Sequence, residues 1–452
     1  MNAKALPPLA LVAILLGAVP AAAQERVLTL DEAVRMALDS HPAIQATRLD
    51  LVVAREQEGV ALAGFLPQLG VAASYNRTTG NYATRPGQDP FDTDNDPATP
   101  DWSGNSNDSW NYYNLGVTLN QPIWDFGRTL GAYRAAQAGT EVAAKGIEVS
   151  RLDLWNRVVS QYYAVFAAQR LLDVATRLRD ASMRHSQVAE AFYKVGSRPK
   201  LDMVRAQATA QASQAALAMA TERLELAKSA LLTAMGLSDR FAFLVAPVEE
   251  GAAGPMPDLE AAVAEALKTR PERARLELGI EAAEAARKAA MGEWFPVFSA
   301  GASFTDGGTQ LDQMAWNWGV GVAMTWPVFS GLATWRAYRA ACATVDAMKV
   351  RLREFDLGVR AEVEQARLRV LEATSRLQPL RAGMGAAMEA LRLAEERYKA
   401  GEGNAVEFMD ARRGASDAET ELVQAEFDVG LAWTALRRAL GSLPEAYRAK
   451  AD

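Results

Sequence analysis

Along most of this chain apolar residues recur at helical spacing, but in four short stretches they alternate with small or polar ones. Leu69, Val71, Ala73 and Tyr75 are interleaved with Gly70, Ala72, Ser74 and Asn76, and Tyr113, Leu115, Val117 and Leu119 with Asn114, Gly116, Thr118 and Asn120. Later, Phe298, Ala300, Ala302 and Phe304 repeat the pattern, as do Trp316, Trp318, Val320, Val322, Met324 and Trp326. A period of two over about ten residues suits a transmembrane β-strand, apolar outward and small or polar inward. It predicts strands at about 67–76, 112–121, 297–305 and 316–326. A soluble hairpin facing a core would alternate too, but no apolar surface is left over to cover these faces. Trp316, Trp318 and Trp326, at the ends of the last strand, suit an interfacial aromatic girdle.

The helical parts are long. No proline occurs between Pro122 and Pro199, so roughly 65 residues after Gly127 can form one rod, on the order of 100 Å. The rod breaks between Tyr193 and Pro199, and a second helix returns to Gly236, a helical hairpin over 128–236. The layout recurs at a fixed offset of 205 (327 − 122): Pro122 matches Pro327, Tyr193 matches Tyr398, Gly196 matches Gly401 and Gly236 matches Gly441. The second hairpin is thus expected over 332–441, and a register held this long indicates a duplicated unit. Pro42 and Pro67 match Pro271 and Pro296 at an offset of 229. The extra 24 residues (229 − 205) fall in the polar segment 77–110, which reads as an exposed loop. Domain bounds follow: two repeats at 24–236 and 258–441, an equatorial linker at 237–257 in which Phe241 to Val245 suits one short strand, and a tail at 442–452. Leu217, Leu224 and Leu231 step by sevens, as do Leu422, Val429 and Leu436, which is coiled-coil spacing. Pro379, with Gly383 and Gly385 beyond it, predicts a helix hinge in the second rod.

Four strands cannot close a barrel, and lipid does not tolerate an open sheet edge. Copies must pool strands: two copies give eight and a nearly filled interior, three give twelve and a lumen. Small inward residues favour the lumen. The fold class expected is a mixed α/β membrane protein, a trimeric twelve-stranded β-barrel continued by a long periplasmic α-helical coiled-coil barrel.

Residues 1–23 read as a secretory signal, with Lys4, an apolar run from Leu9 to Leu16, and Ala21-Ala22-Ala23 before Gln24. No cysteine follows it, so no lipid anchor is expected on the mature N-terminus. Removing Lys4 leaves 47 basic against 55 acidic residues, which argues against a nucleic-acid partner. The single Cys342 forms no internal disulfide, and His41 and His185 stand in no metal-ligand spacing. Asp92 to Asp96 opens like a calcium loop, but Pro97 and Ser103 stand where glycine and glutamate are needed. Met384 and Met388 read as core. With no catalytic motif, the expectation is no enzyme, no cofactor and no metal.

The two registers, with Leu30-x-x-Ala33-x-x-x-Ala37-Leu38-x-x-x-Pro42 and Tyr398-x-x-Gly401, resemble the TolC-type outer-membrane efflux and secretion ducts over essentially the whole mature chain. The resemblance implies a homotrimer in outer-membrane lipid of a Gram-negative bacterium, reaching into the periplasm. Its partners would be a periplasmic adaptor (membrane fusion) protein and an inner-membrane pump, its function passive exit from a tripartite efflux or type I secretion system. By the same resemblance Asp202, Tyr398, Glu407 and Asp410 form the periplasmic gate. The adaptor-contact tips are Gly196, Ser197, Arg198, Gly401 and Gly403. Gly403 stands where the best-known member of that family has an arginine, and an arginine stands instead at the equivalent first-half site, Arg198, so the closing bonds are expected to be rewired. Glu407 and Asp410 read as two uncompensated acids, whereas Asp202 and Arg205 at the matching sites read as a self-compensating pair. The competing reading is a periplasmic coiled-coil scaffold or adaptor without a pore, which leaves the four strands unexplained.

Overall fold

The computed structural model describes residues 26–79, 109–238, 241–247, 255–400 and 402–447. The signal segment, the calcium-like loop and Gly401 lie outside the described residues. In chain order the elements are β1 (Arg26–Leu28), α1 (Leu30–Ser40), α2 (Pro42–Ala63), β2 (Gln68–Thr79), β3 (Ser109–Trp124), α3 (Arg128–Lys194) and α4 (Lys200–Met235). There follow β4 (Phe243–Val245), α5 (Leu259–Thr269), α6 (Pro271–Gly292), β5 (Val297–Gly308), β6 (Ala315–Thr325), α7 (Ala333–Lys399) and α8 (Ala405–Leu440). The rods α3 and α7 are 67 residues each, and the return helices α4 and α8 are 36 each. At about 1.5 Å per residue, each rod is on the order of 100 Å long.

The four long strands form one antiparallel sheet in the order β2-β3-β5-β6. Its register sets Val71 beside Val117, Val117 beside Phe304, and Phe304 beside Trp318. All four apolar stripes therefore share one face, and Gly70, Thr118, Ser303 and Gly319 line up on the other. One strand edge of β2 and one of β6 remain unpaired among the described residues.

The helices form a matching curved layer. Near the sheet they lie side by side as α2-α3-α6-α7, and farther away as α4-α3-α8-α7. The ends of this layer are thus α2 and α4 on one side and α7 on the other. At the waist, β1 pairs in parallel with β4, an element the sequence did not suggest for Arg26–Leu28. The main core gathers there: Leu28, Val34, Leu152, Val158, Leu231 and Phe243 around Tyr162. The Tyr162 hydroxyl lies 2.9 Å from the carbonyl oxygens of both Leu28 and Ala246, and burial pushes its pKa up to about 12. The second half has its own core, where Val263, Val359, Val363 and Leu436 meet. Arg438 ties the waist together, reaching Asp153 on α3 and Glu272 on α6, each at 2.7 Å.

Strand turns into rod through two consecutive left-handed residues in each half: Phe126 and Gly127 (φ 55° and 86°), and Gly331 and Leu332 (φ 63° and 68°). The pairs align at the 205 offset, with the glycine exchanged between first and second place. Asp125 caps the first rod, accepting from Gly127 N at 3.1 Å and Thr129 N at 2.7 Å. The return helices end on Gly236 and Gly441, also left-handed. A Cβ on Gly441 would fall 2.5 Å from Cγ of Arg270, whose buried guanidinium donates to Ala439 O at 2.7 Å and pairs with Glu362 at 2.7 Å.

Left-handed backbone costs an L-residue about 1 kcal/mol or more relative to glycine. Leu332→Gly is therefore expected to raise the thermal midpoint, because the leucine side chain is 57% exposed and gives up little packing. Gly441→Ala is expected to lower it, since both φ and Arg270 oppose the new methyl. Circular dichroism melts of the two variants against the parent check both signs.

Candidate functional site

Two regions carry the features expected of a duct: the uncovered sheet face and the far end of the helical hairpins. On the sheet, Trp316, Trp318, Val320 and Val322 are each 65% exposed or more, with no described residue covering them. Trp326 donates from Nε1 to Trp294 O at 3.1 Å. A bulge in β3 between Pro122 and Trp124 returns Trp124 to the apolar face, beside Phe298. Trp124 then meets Phe126 edge to face, and Phe126 stacks on Phe295 at 4.8 Å. These aromatics extend the belt begun by Trp326 at the helix-proximal end of the sheet, and period-two reading missed them because they fall just outside the strands' alternation. Among the described residues no helix is long and apolar enough to cross a membrane, so the sheet is the part suited to lipid.

At the opposite end, each hairpin turns in its own way. After α3, Gly196 is left-handed, Gly196 N donates to Tyr193 O and Ser197 N donates to Phe192 O, both at 2.9 Å. After α7, Glu402 N and Gly403 N both donate to Arg397 O, at 3.0 and 2.9 Å. Asn404 then caps α8 through Val406 N at 3.0 Å. A Cβ on Gly403 would lie 2.9 Å from Tyr398 N and 3.0 Å from Arg397 C. The turn folds back too tightly for a side chain there, which gives the glycine at this position a steric cause.

Tyr398 does not stand alone. Its ring stacks on Phe408 at 5.3 Å, and His185 tilts against both rings at 5.6 and 5.4 Å. Arg198 lies 5.5 Å above Tyr398, and Arg412 lies 4.9 Å above Phe408. The cluster joins α3, α7 and α8 with the first tip turn. Beside it, His185, Asp202, Arg205, Ala405 and Met409 line a groove of about 430 Å³. The structure thus brings Tyr398 and Asp202 to the same neighbourhood. Glu407 and Asp410 part company. Glu407 pairs with Arg397 at 2.6 Å, so it is compensated, contrary to expectation, because the tight second turn sets the end of α7 against the start of α8. Asp410 is exposed and joins no ion pair among the described residues, and none links Asp202 to Arg205. His185, Phe408, Arg412 and Arg397 escaped the sequence reading. The signal was a break in the repeat, since Ala390 stands where the offset places His185, and Met203 where it places Phe408.

Pro379 is exposed within α7, which is helical without a break from Ala333 to Lys399. Among the described residues no group of His, Cys, Asp and Glu could hold a metal ion.

An apolar four-stranded sheet face with open edges, running into paired rods of this length, defines a barrel-and-tunnel protein of the outer membrane. The chain belongs to the outer membrane efflux protein family, whose model matches residues 33–237 and 262–442. It is 25% identical to outer membrane protein OprJ of Pseudomonas aeruginosa, over 90% of this chain and 83% of that one. It is 23% identical to the alkaline protease secretion protein AprF of the same organism, over 93% and 85%. Its fold matches the Campylobacter jejuni CmeC outer membrane channel with a TM-score of 0.79, covering 91% of this chain and 85% of that one at 17% identity. The protein is therefore an outer-membrane channel with the TolC-type fold, a passive duct for efflux or secretion rather than an enzyme, and the pore-less scaffold is set aside. Members of the family are trimeric and work with an adaptor and a pump in tripartite systems.

Burial, with Arg412 nearby, lowers the pKa of His185, while Asp202 opposes the shift. A base with a depressed folded pKa favours its neutral form. Its contribution to stability is full above the ordinary value near 6.5 and is lost as pH falls through the lower folded value. The protection factors of amides around His185 and Phe408, which divide out the intrinsic slowing of exchange in acid, are expected to fall on acidification below about pH 6. In His185→Phe that pH dependence should flatten; an unchanged profile would detach His185 from it.

Proposed function

We propose that three copies of this chain close the duct, each joining its β6 and α7 edge to the β2, α2 and α4 edge of the next. The observation that supports this most is that sheet and helical layer are open on the same two sides. In lipid an unpaired edge is costly, because no water satisfies its N–H and C=O groups. Closing twelve strands would also close twelve-helix cross-sections below. The apolar face then meets lipid, with Trp316 and Trp318 at one boundary and Trp326 at the other. Charge on that face costs about 2 kcal/mol or more near the midplane for arginine. Val320→Arg and Val322→Arg are therefore expected to abolish assembly into the outer membrane, read as loss of the detergent-stable trimer. Normal assembly would count against this placement.

In the same reading the tips, Gly196, Ser197, Arg198, Gly401 and Gly403, present the adaptor-contact surface, and the adaptor couples the duct to an inner-membrane pump. Asp202, Tyr398, Glu407 and Asp410 gate the periplasmic mouth, with Pro379 as the hinge about twenty residues above the tip. The Arg397–Glu407 pair changes what the acids do. Three copies would present three uncompensated Asp410 carboxylates, and three glutamates each neutralised within its own chain. Carboxylates in a narrow mouth attract cations. In planar-bilayer recordings, Asp410→Asn is expected to lower cation preference clearly, Glu407→Gln only slightly, and Arg397→Ala to raise it. Equal losses from Asp410→Asn and Glu407→Gln would show that the pairing does not persist in the working channel.

A further inference from the structure

A cavity of about 500 Å³ lies between α3 and α6, directly below the sheet. It exists because the two helices cross closely at its back wall: a Cβ on Gly131 would fall 2.7 Å from Ala289 N. Its lining is ordered by distance from the sheet. α3 runs away from the strands while α6 runs toward them, so Phe126, Leu130 and Met291 sit at the top. Arg134 and Lys288 come next, about one helical turn down. Glu141 and Glu281 are farthest, about 10 Å below Arg134 by helical rise. Phe126, Leu130 and Met291 are about 40% exposed (40%, 41% and 44%). Neither Arg134 nor Lys288 forms an ion pair with another described residue; Glu284 beside them pairs with Lys349 at 2.8 Å and also feels the charge of Lys288.

The top of the cavity joins the apolar face of the sheet. Trp124 shares the apolar face with Phe298, and Phe126 continues from Trp124 into the cavity wall. From membrane to periplasm the wall is therefore apolar, then cationic, then acidic. An aminophospholipid has the same order: acyl chain, phosphate, ammonium. Arginine and lysine are the side chains suited to the phosphate, and carboxylates to the ammonium.

We propose that this cavity is a binding site for a zwitterionic aminophospholipid of the periplasmic leaflet, with its phosphate on Arg134 and Lys288 and its ammonium toward Glu141 and Glu281. Acyl chains leave past Phe126, Leu130 and Met291 into the bilayer. The site lies at the base of the barrel, away from the tips. It depends on the sheet lying in the membrane but not on how the gate works.

Native mass spectrometry of the full-length protein, stripped in detergent and titrated with phosphatidylethanolamine, phosphatidylcholine or phosphatidylglycerol, tests it. The parent is expected to retain phosphatidylethanolamine at least fivefold more than phosphatidylcholine, whose methylated ammonium cannot donate to a carboxylate. Arg134→Gln with Lys288→Gln should abolish retention of phosphatidylethanolamine and of phosphatidylglycerol alike. Glu141→Gln with Glu281→Gln should erase the preference for phosphatidylethanolamine over phosphatidylglycerol while leaving phosphate-dependent retention. All four positions are exposed or half-exposed, so folding is expected to survive, which circular dichroism confirms in each variant. Equal retention of the three lipids by the parent would overturn the proposal, as would undiminished retention by the doubly neutralised cationic variant. If the parent assembles in the membrane yet shows no selectivity, only this site fails. If Val320→Arg assembles normally, the sheet placement fails first.

Discussion

A β-strand edge in hydrocarbon leaves its N–H and C=O groups with no water and no partner, at several kcal/mol for each group. That constraint governs this architecture. One chain supplies four strands with two open edges, and the same two sides are left open in its helical layer. The sheet's two faces are equally committed, one to apolar contact and the other to a lumen of Gly, Ser and Asn. In lipid the strands have no stable arrangement while those edges stay open. Closing the sheet is also what gives the rods their neighbours.

Duplication supplies the scaffold, and departures from it supply the specificity. Both halves turn from strand to rod through paired left-handed residues, and both end their return helices on a left-handed glycine packed under the residue before a proline. At the tips the symmetry stops. The first turn is open, with a left-handed Gly196 and nothing within 4 Å of where its Cβ would sit. The second folds back on Arg397, excludes a side chain at Gly403, and aligns Arg397 with Glu407. His185, Tyr398 and Phe408 knit the two hairpins of one chain together, so the tip of each protomer is a packed unit rather than two loose turns.

Much of this was legible in the sequence because it rests on period and spacing. The alternation ending at Tyr75 and starting at Tyr113 marked β2 and β3, although hydrogen bonding carries those strands to Thr79 and back to Ser109. The unbroken run after Gly127 marked α3, and the 205 offset marked α7. β1 was not legible: three residues, Arg26 to Leu28, form a strand only because β4 lies alongside, and pairing between residues more than two hundred apart leaves no local trace. The tip acids were half legible. Their spacing put Glu407 and Asp410 on one helix face, but which of them meets Arg397 depends on how the turn at Gly403 folds. The cavity beneath the barrel was invisible, since Gly131 and Arg134 on α3 and Lys288 on α6 become one wall only on packing.

Every helix changes its neighbours at the waist or stops there. α7 exchanges α6 for α8, yet it alone borders the open side of the layer both beside the sheet and far below it. Where the other side of the layer is divided between α2 above and α4 below, this side is a single covalent rod of 67 residues. In an assembled ring, the boundary between two subunits would therefore be a continuous spar on one flank and a jointed one on the other. Torque applied to α7 at the tip would be resisted at the membrane end of that same helix. The joint between α2 and α4, held by the core around Tyr162, would let the opposing flank yield locally. Each subunit boundary would then have a stiff side and a compliant side, and any twisting of the mouth would acquire a handedness from the fold itself.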